Sequence, residues 1–157
     1  MATHFNQRGV LLVEDDFHDQ ELVRFAFQAA HITQPLAIVS NGQEAIKYLN
    51  GQGPYADRLT FPLPTLMLLD LWMPYVDGFE VIRWVRAKPG LKQLPITILT
   101  GSDSPHDLQL AYELGANAVL LKPLSLEKLS STLKAATDFW FELCKLPTVM
   151  PFPAHST

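Results

Sequence analysis

Short, unbroken apolar runs alternate along the chain with stretches whose apolar residues recur every three or four positions. The runs lie at 10–13, 36–39, 66–69, 96–99 and 118–121. A continuous apolar run of this length is typical of a strand covered on both faces. The intervening stretches predict helices over 17–30, 78–88 and 106–114, with a shorter one through Ala45 and Leu49. This alternation predicts an α/β fold whose parallel sheet carries helices on both faces.

The end of the chain predicts one long helix. Ser125 is a suitable N-cap, and apolar residues then recur every three or four positions as far as Leu143. Pro147 and two later prolines forbid further helix, so we expect a single domain over 1–147 and a loose tail over 148–157. A second irregular stretch, 50–64, carries two glycines and three prolines and predicts an unusually long loop.

Composition narrows the class of protein. The 157 residues are 48% hydrophobic, which suits one domain with a substantial core. A net charge of -4 disfavours nonspecific binding to nucleic acid. The single cysteine, Cys144, excludes an intrachain disulfide, and no apolar run reaches the length of a membrane span. We therefore expect a soluble cytoplasmic protein.

Charged residues follow three of the predicted strands. Glu14, Asp15 and Asp16 follow the first run, Asp70 follows the third, and Lys122 follows the fifth. The carboxyl ends of parallel strands meet at one edge of a sheet, so these groups should meet in one pocket. Carboxylates are the oxygen ligands that Mg²⁺ prefers, and one or two of them normally suffice.

We assign the predicted roles as follows. Asp16 and Asp70 ligate the metal, Asp15 holds a metal-bound water, and a backbone carbonyl just after Asp70 adds an oxygen. Without the ion, such close carboxylates repel, and at least one should have a raised pKa. Lys122 would neutralise a phosphoryl oxygen, and Thr100 offers a hydroxyl at the same edge. An aspartate carboxylate can act as a nucleophile and form an acyl phosphate.

Four motifs together resemble those of two-component response-regulator receiver domains. They are Val13-Glu-Asp-Asp16, Leu68-Leu-Asp-Leu-Trp-Met-Pro74 with Asp77-Gly78, Leu99-Thr100-Gly101 and Leu121-Lys-Pro123. The resemblance spans about residues 8–137. It implies a doubly wound, flavodoxin-like (CheY-like) five-stranded parallel sheet of strand order 2-1-3-4-5, with helices on both faces.

The resemblance also implies roles for particular residues. Asp70 would be the phosphoacceptor, with Mg²⁺ held by Asp16, Asp15 and Asp70 itself and by the backbone carbonyl of Trp72. Lys122 would contact the phosphate, Thr100 would be the switch hydroxyl, and the bond before Pro123 would be cis. The protein would be a phosphoacceptor rather than an enzyme, and its donor would be a histidine on a sensor kinase.

The stretch from Asp138 to Pro147 resembles the small receivers paired with cyanobacterial phytochromes, which points to a phytochrome-like kinase as partner. We expect the output to be made by protein contacts, through a homodimer and without direct binding of nucleic acid or membrane. The expected dimer or partner surface comprises Val119, Phe139, Trp140, Phe141 and Leu143. The alternative is that these rings fold back on their own domain.

Two positions depart from the family pattern. Trp72 stands where a small or polar residue is common, and its indole would shield the acyl phosphate and slow self-dephosphorylation. Alternatively, Trp72 packs on a loop or partner surface. Val119 stands where an aromatic ring often swings inward, so signalling would run through loop movement or self-association. Asp103 and Asp107 are expected to cap the fourth helix.

Two rival functions stay open at this point. A magnesium-dependent phosphatase with an aspartate nucleophile would need a second acid at position 72, where this chain has Trp72. A pseudo-receiver would be a binding module that never carries phosphate. The full set of acidic residues, Thr100 and Lys122 makes the phosphoacceptor the favoured interpretation.

Overall fold

The computed structural model describes residues 9–147. Its strands are β1 (Val10–Val13), β2 (Leu36–Val39), β3 (Leu66–Leu69), β4 (Ile96–Thr100) and β5 (Ala118–Leu121). They form one parallel sheet in the order β2-β1-β3-β4-β5. The predicted fold class and strand order are confirmed. The expected tail at 148–157 lies outside the described residues.

Within residues 9–147, four α-helices connect the strands and a fifth follows β5. They are α1 (Phe17–Ala29), α2 (Gly42–Asn50), α3 (Gly78–Ala87), α4 (Pro105–Leu114) and α5 (Leu126–Thr137). Each begins at a side chain that accepts a hydrogen bond from a backbone N–H of the first turn, an arrangement that satisfies one of the free amides there. The capping residues are Asp16, Asn41, Asp77, Ser104 and Ser125.

Two apolar layers sandwich the sheet. Leu11 of β1 and Leu69 of β3 face α2, α3 and α4, whereas Leu12 and Leu68 face α1 and α5. Alternate residues of a strand point to opposite faces, so both layers need apolar side chains and the strands read as unbroken apolar runs. The long loop after α2 is anchored by Arg58, whose guanidinium donates to the carbonyl oxygens of Tyr48 and Leu49, both at 2.8 Å.

The last predicted helix changes character before its end. The α-helix ends at Thr137 and continues as a π-helical segment, Asp138–Leu143. Phe141 is buried in the α1–α5 layer, and half-buried Trp140 donates its indole N–H to the hydroxyl of Thr97 at 3.2 Å. A wider turn brings these rings back onto the domain, so the prediction was wrong for buried Phe141, whereas the place of half-buried Trp140 on a partner surface stays a prediction.

Val119 is also partly covered within its own domain, and its place on a partner surface stays a prediction. It is half-buried and packs against the α2–α4 layer, because its position in β5 directs its side chain into the sheet's apolar face. Phe139 and Leu143 remain exposed, at 47% and 74% of their full surface. These two are the most exposed of the five predicted residues.

Candidate metal and phosphoryl site

Backbone hydrogen bonds carry the sheet's pairing one residue beyond its strands. The amide of Glu14 donates to the carbonyl of Val39 at 3.1 Å, and the amide of Asp70 donates to that of Val13 at 3.1 Å. The amide of Lys122 likewise donates to the carbonyl of Thr100 at 2.8 Å. The side chains that follow β1, β3 and β5 therefore leave the same sheet edge from fixed backbone positions.

Lys122 joins three carboxylates at this edge. Its ammonium Nζ lies 2.6 Å from Glu14 Oε2, 2.9 Å from Asp19 Oδ2 and 3.2 Å from Asp70 Oδ2. The predicted meeting of Lys122 with Asp70 is confirmed. The pairing of Asp19 with Lys122 was not predicted from the sequence. An acid in the first turn of a helix already has a sufficient role there, since its charge interacts favourably with the helix dipole.

The candidate metal ligands are Glu14, Asp15 and Asp70. Each offers one carboxylate oxygen, and the three oxygens lie within 4.8 Å of one another. The structure therefore brings Asp15 and Asp70 together as predicted but puts Glu14 where Asp16 was expected. Asp16 instead caps α1, accepting from the amide of Asp19 at 2.9 Å, because aspartate directly before a helix satisfies a free amide.

A hard divalent cation fits this donor set. All three side chains present carboxylate oxygens, and Mg²⁺ takes such oxygens together with retained waters. Asp15 is exposed and leaves room for those waters, whereas Glu14 is 2% exposed. Ligation by the backbone carbonyl of Trp72 stays a prediction.

The pKa of Glu14 is raised from 4.5 to about 7, chiefly because burial penalises its charged form. Three interactions oppose this rise in the pKa of Glu14: the hydrogen bond from Lys122, the hydrogen bond from the Asp16 amide and the charge of Lys122. The charge of Asp70 adds to the rise. The predicted raised pKa in the cluster is confirmed, but burial outweighs repulsion as its cause. Burial lowers the pKa of Lys122, yet its bonds to Glu14 and Asp19 and the charge of Asp70 raise it overall.

Replacing Glu14 with Gln should remove a pH dependence of folding. Between about pH 7 and 4.5 the folded carboxyl holds a proton that the unfolded one has released, so acidification stabilises the metal-free protein. The wild type should gain about 3 kcal/mol of unfolding free energy between pH 8 and 5 relative to Glu14→Gln. Urea unfolding in EDTA measures this, with exposed Glu113→Gln as control. Equal pH profiles for wild type and Glu14→Gln would contradict the expectation.

Trp72 lies two residues after Asp70 in the chain and contacts Asp107 of α4. The Trp72 ring is 55% exposed, and its indole N–H donates to Asp107 Oδ2 at 3.0 Å. The ring also makes an edge-to-face contact with Phe79, with 5.6 Å between centroids. Asp107 lies in the first turn of α4, where its charge suits the helix dipole as predicted, but the side chain that caps the helix is that of Ser104, directly before it.

The bond between Lys122 and Pro123 is trans, and the described residues contain no cis peptide bond. The predicted cis bond before Pro123 was therefore wrong. An X-Pro bond favours trans by about 0.5–1 kcal/mol, and the trans chain already delivers the Lys122 ammonium to the carboxylates.

Comparisons with known proteins agree with this geometry. A family model described as the response regulator receiver domain matches residues 10–134. The chain is 36% identical to response regulator Rcp1 of Synechocystis sp. over 138 residues, which cover 88% of this chain and 92% of that protein. No helix within residues 9–147 is both long and apolar enough to cross a membrane.

Two solved structures are similar throughout. The phosphorylated cyanobacterial phytochrome response regulator RcpA superposes with a TM-score of 0.81 at 32% identity, over 90% of this chain and 99% of its own. The Mn²⁺-bound form of Rcp1 superposes with a TM-score of 0.78 at 35% identity and the same coverage.

Proposed function

Because the chain belongs to the response regulator receiver domain family, we propose that Asp70 accepts a phosphoryl group from a histidine of a sensor kinase. One observation carries this assignment: the Lys122 ammonium lies 3.2 Å from Asp70 Oδ2, beside a cluster of carboxylates. An isolated aspartate after a strand would be a turn residue, whereas this one lies beside a fixed cation and two further carboxylates that could hold a metal ion.

The proposed transfer is a displacement at phosphorus. An oxygen of Asp70 forms a bond to phosphorus while the P–N bond of the phosphohistidine breaks. The imidazole, protonated on its other nitrogen, leaves as the neutral ring with the electron pair of that bond. Lys122 would balance charge on the phosphoryl oxygens, and the hydroxyl of Thr100 would donate to one of them.

The resident metal in this proposal is Mg²⁺, held by Glu14, Asp15 and Asp70. It would supply positive charge against the phosphoryl oxygens. The buried Glu14 carboxylate, already paired with Lys122 at 2.6 Å, fixes the position of the ammonium when Asp70 is esterified. Asp19, at 2.9 Å from the same nitrogen, holds it from the α1 side.

The proposed partner is a phytochrome-type sensor kinase. Support comes from the relatives, since RcpA is a cyanobacterial phytochrome response regulator and matches over 90% of this chain. In this proposal the protein signals through protein contacts and does not turn over a substrate. The net charge of -4 suits protein partners better than nucleic acid, and a reducing cytoplasm suits the unpaired Cys144.

Incubation with acetyl phosphate and Mg²⁺ tests the proposal. The expected product gains the mass of one phosphoryl group, depends on the metal and is cleaved by hydroxylamine, as an acyl phosphate is. A protein that never gains this mass would be a pseudo-receiver, and steady turnover of a generic phosphomonoester would indicate a phosphatase. Either result would overturn the proposal.

We also propose that the protein forms a homodimer through its π-helical segment, Asp138–Leu143. Phe139 and Leu143 leave apolar surface on the π-helical segment, and twofold pairs are the commonest assembly. The double variant Phe139→Asp with Leu143→Asp should be monomeric where the wild type is a dimer. Sedimentation of both, with and without phosphodonor, measures this, and exposed Leu59→Asp is the control. A monomeric wild type under both conditions would refute the dimer.

A further inference from the structure

We propose that Asp107 is a positioning residue that holds the Trp72 indole over the phosphorylated site and so sets the lifetime of the acyl phosphate. The proposal rests on the proposed function, because it concerns the hydrolysis of phosphate on Asp70. In this proposal a residue of α4 influences the chemistry at Asp70 through Trp72, in the loop that follows β3.

Asp107 is an unusual residue for the first turn of a helix. It is 8% exposed, and its Oδ2 accepts from two donors, Trp72 Nε1 at 3.0 Å and Ser102 Oγ at 2.8 Å. An exposed acid would serve the helix dipole equally well without these bonds. A buried carboxylate is stable only when hydrogen-bonded, so the donors and Asp107 hold one another in place.

The bond to Asp107 fixes a ring that otherwise has little to hold it. Trp72 is more than half exposed, and its other aromatic contact is the edge of Phe79. The residue lies two positions after Asp70, so its backbone moves with the phosphoacceptor. A fixed indole at this place shields the ester from solvent, whereas a ring free to rotate admits water.

Water access determines the lifetime because hydrolysis is the loss pathway. A water oxygen forms a bond to phosphorus as the P–O bond to Asp70 breaks. The Asp70 carboxylate leaves with the electron pair, and the water's proton passes to phosphate or solvent. Excluding water from the line opposite the leaving carboxylate slows this step.

The second donor to Asp107 leads to the switch residue. Ser102 donates its hydroxyl to Asp107 and its backbone N–H to Thr100 Oγ1 at 3.2 Å. The hydrogen bonds from Trp72 and Ser102 therefore connect the loop after β3 with the loop after β4 through a single oxygen, Asp107 Oδ2. When the Thr100 hydroxyl turns to a phosphoryl oxygen, Ser102 and Asp107 are the next residues affected. These hydrogen bonds transmit a change at Thr100 to α4 without an aromatic ring at position 119.

The experiment measures the half-life of phosphorylated Asp70 after removal of donor. Phosphorylated wild type is compared with Asp107→Ala, Trp72→Phe and the double variant. Trp72→Phe keeps the ring and loses the N–H. Each single variant should hydrolyse about fivefold faster, the effect of losing one hydrogen bond on a barrier. The double variant should be no faster than either single one, because both remove the same bond.

A second measurement reports the ring directly and does not need phosphate. In a background of Trp84→Phe and Trp140→Phe, Trp72 is the only indole, and Asp107→Ala should make its fluorescence more accessible to acrylamide. Asp107→Asn provides a milder variant where Asp107→Ala fails to fold. The matched control is Asp103→Asn, which changes an exposed acid in the loop between β4 and α4. It should leave both the half-life and the fluorescence quenching at the wild-type value.

The outcomes separate the two proposals. Normal phosphorylation with an unchanged half-life in Asp107→Ala and Asp107→Asn overturns the positioning role and leaves the proposed function standing. Additive effects in the double variant also overturn it, because Asp107 would then act independently of Trp72. A wild type that takes up no phosphate overturns the proposed function and this inference together.

Discussion

Replacing Asp70 with Asn is expected to abolish phosphorylation of the protein completely. An amide oxygen is not a nucleophile at phosphorus, and two of the neighbouring acids are already engaged. Asp16 caps α1, and Glu14 is buried and hydrogen-bonded to Lys122 at 2.6 Å. Intact-protein mass after treatment with acetyl phosphate and Mg²⁺ measures the effect.

The Asp70→Asn protein should remain folded. Asn keeps an oxygen that can accept from Lys122, and loss of the Asp70 charge removes one contribution that raises the pKa of Glu14. We expect a thermal midpoint no lower than that of the wild type. Asp138→Asn, which removes an exposed carboxylate paired with Lys134, is the control and should accept phosphate normally. Phosphate incorporated into Asp70→Asn would assign the phosphoacceptor elsewhere.

Replacing Gly78 with Ala is expected to cost about 3 kcal/mol of unfolding free energy, the upper range for an overpacked position. A Cβ at this first residue of α3 would meet the carbonyl oxygen of Asp70 and lie 2.7 Å from the Cα of Leu71. Both are backbone atoms and cannot rotate away. The Gly78 amide also donates to the carbonyl of Leu71 at 2.8 Å, so the helix cannot move out without losing that bond.

The clash in Gly78→Ala would also displace the phosphoacceptor. The backbone that must give way is that of Asp70 itself, so the surviving folded protein should take up phosphate poorly. Gly101→Ala is the matched control, because its Cβ would meet no atom within 4 Å. Urea unfolding measures both variants, and a loss below about 1 kcal/mol in Gly78→Ala would show that the loop after β3 yields easily.

The strands could be predicted almost to the residue, because each buried parallel strand must be apolar on both faces. The structure adds only Thr100 to the end of β4. The last helix was predicted less well. Its apolar spacing continues past Thr137, and spacing alone cannot distinguish an α-helical turn from the wider turn that carries Phe141 into the core.

The site was predicted in outline from the positions of charges after strands. The sequence Glu14-Asp15-Asp16 contains three acids, and choosing two of them depends on where α1 begins. The helix begins after Asp16, which leaves Glu14 extending the pairing of β1 and pointing to Lys122. Asp107 could not be predicted as a partner of Trp72, because the two residues are 35 positions apart and only the packing of α4 joins them.

The hydrogen bond from Trp140 to Thr97 gives the π-helical segment a thermodynamic link to β4. Thr97 lies in the same strand as Thr100, so a binding protein that draws the π-helical segment away must also release a side chain of that strand. This coupling is reciprocal. A state of β4 that weakens the bond between Trp140 and Thr97 therefore makes the segment easier for the binding protein to capture, by the same free energy.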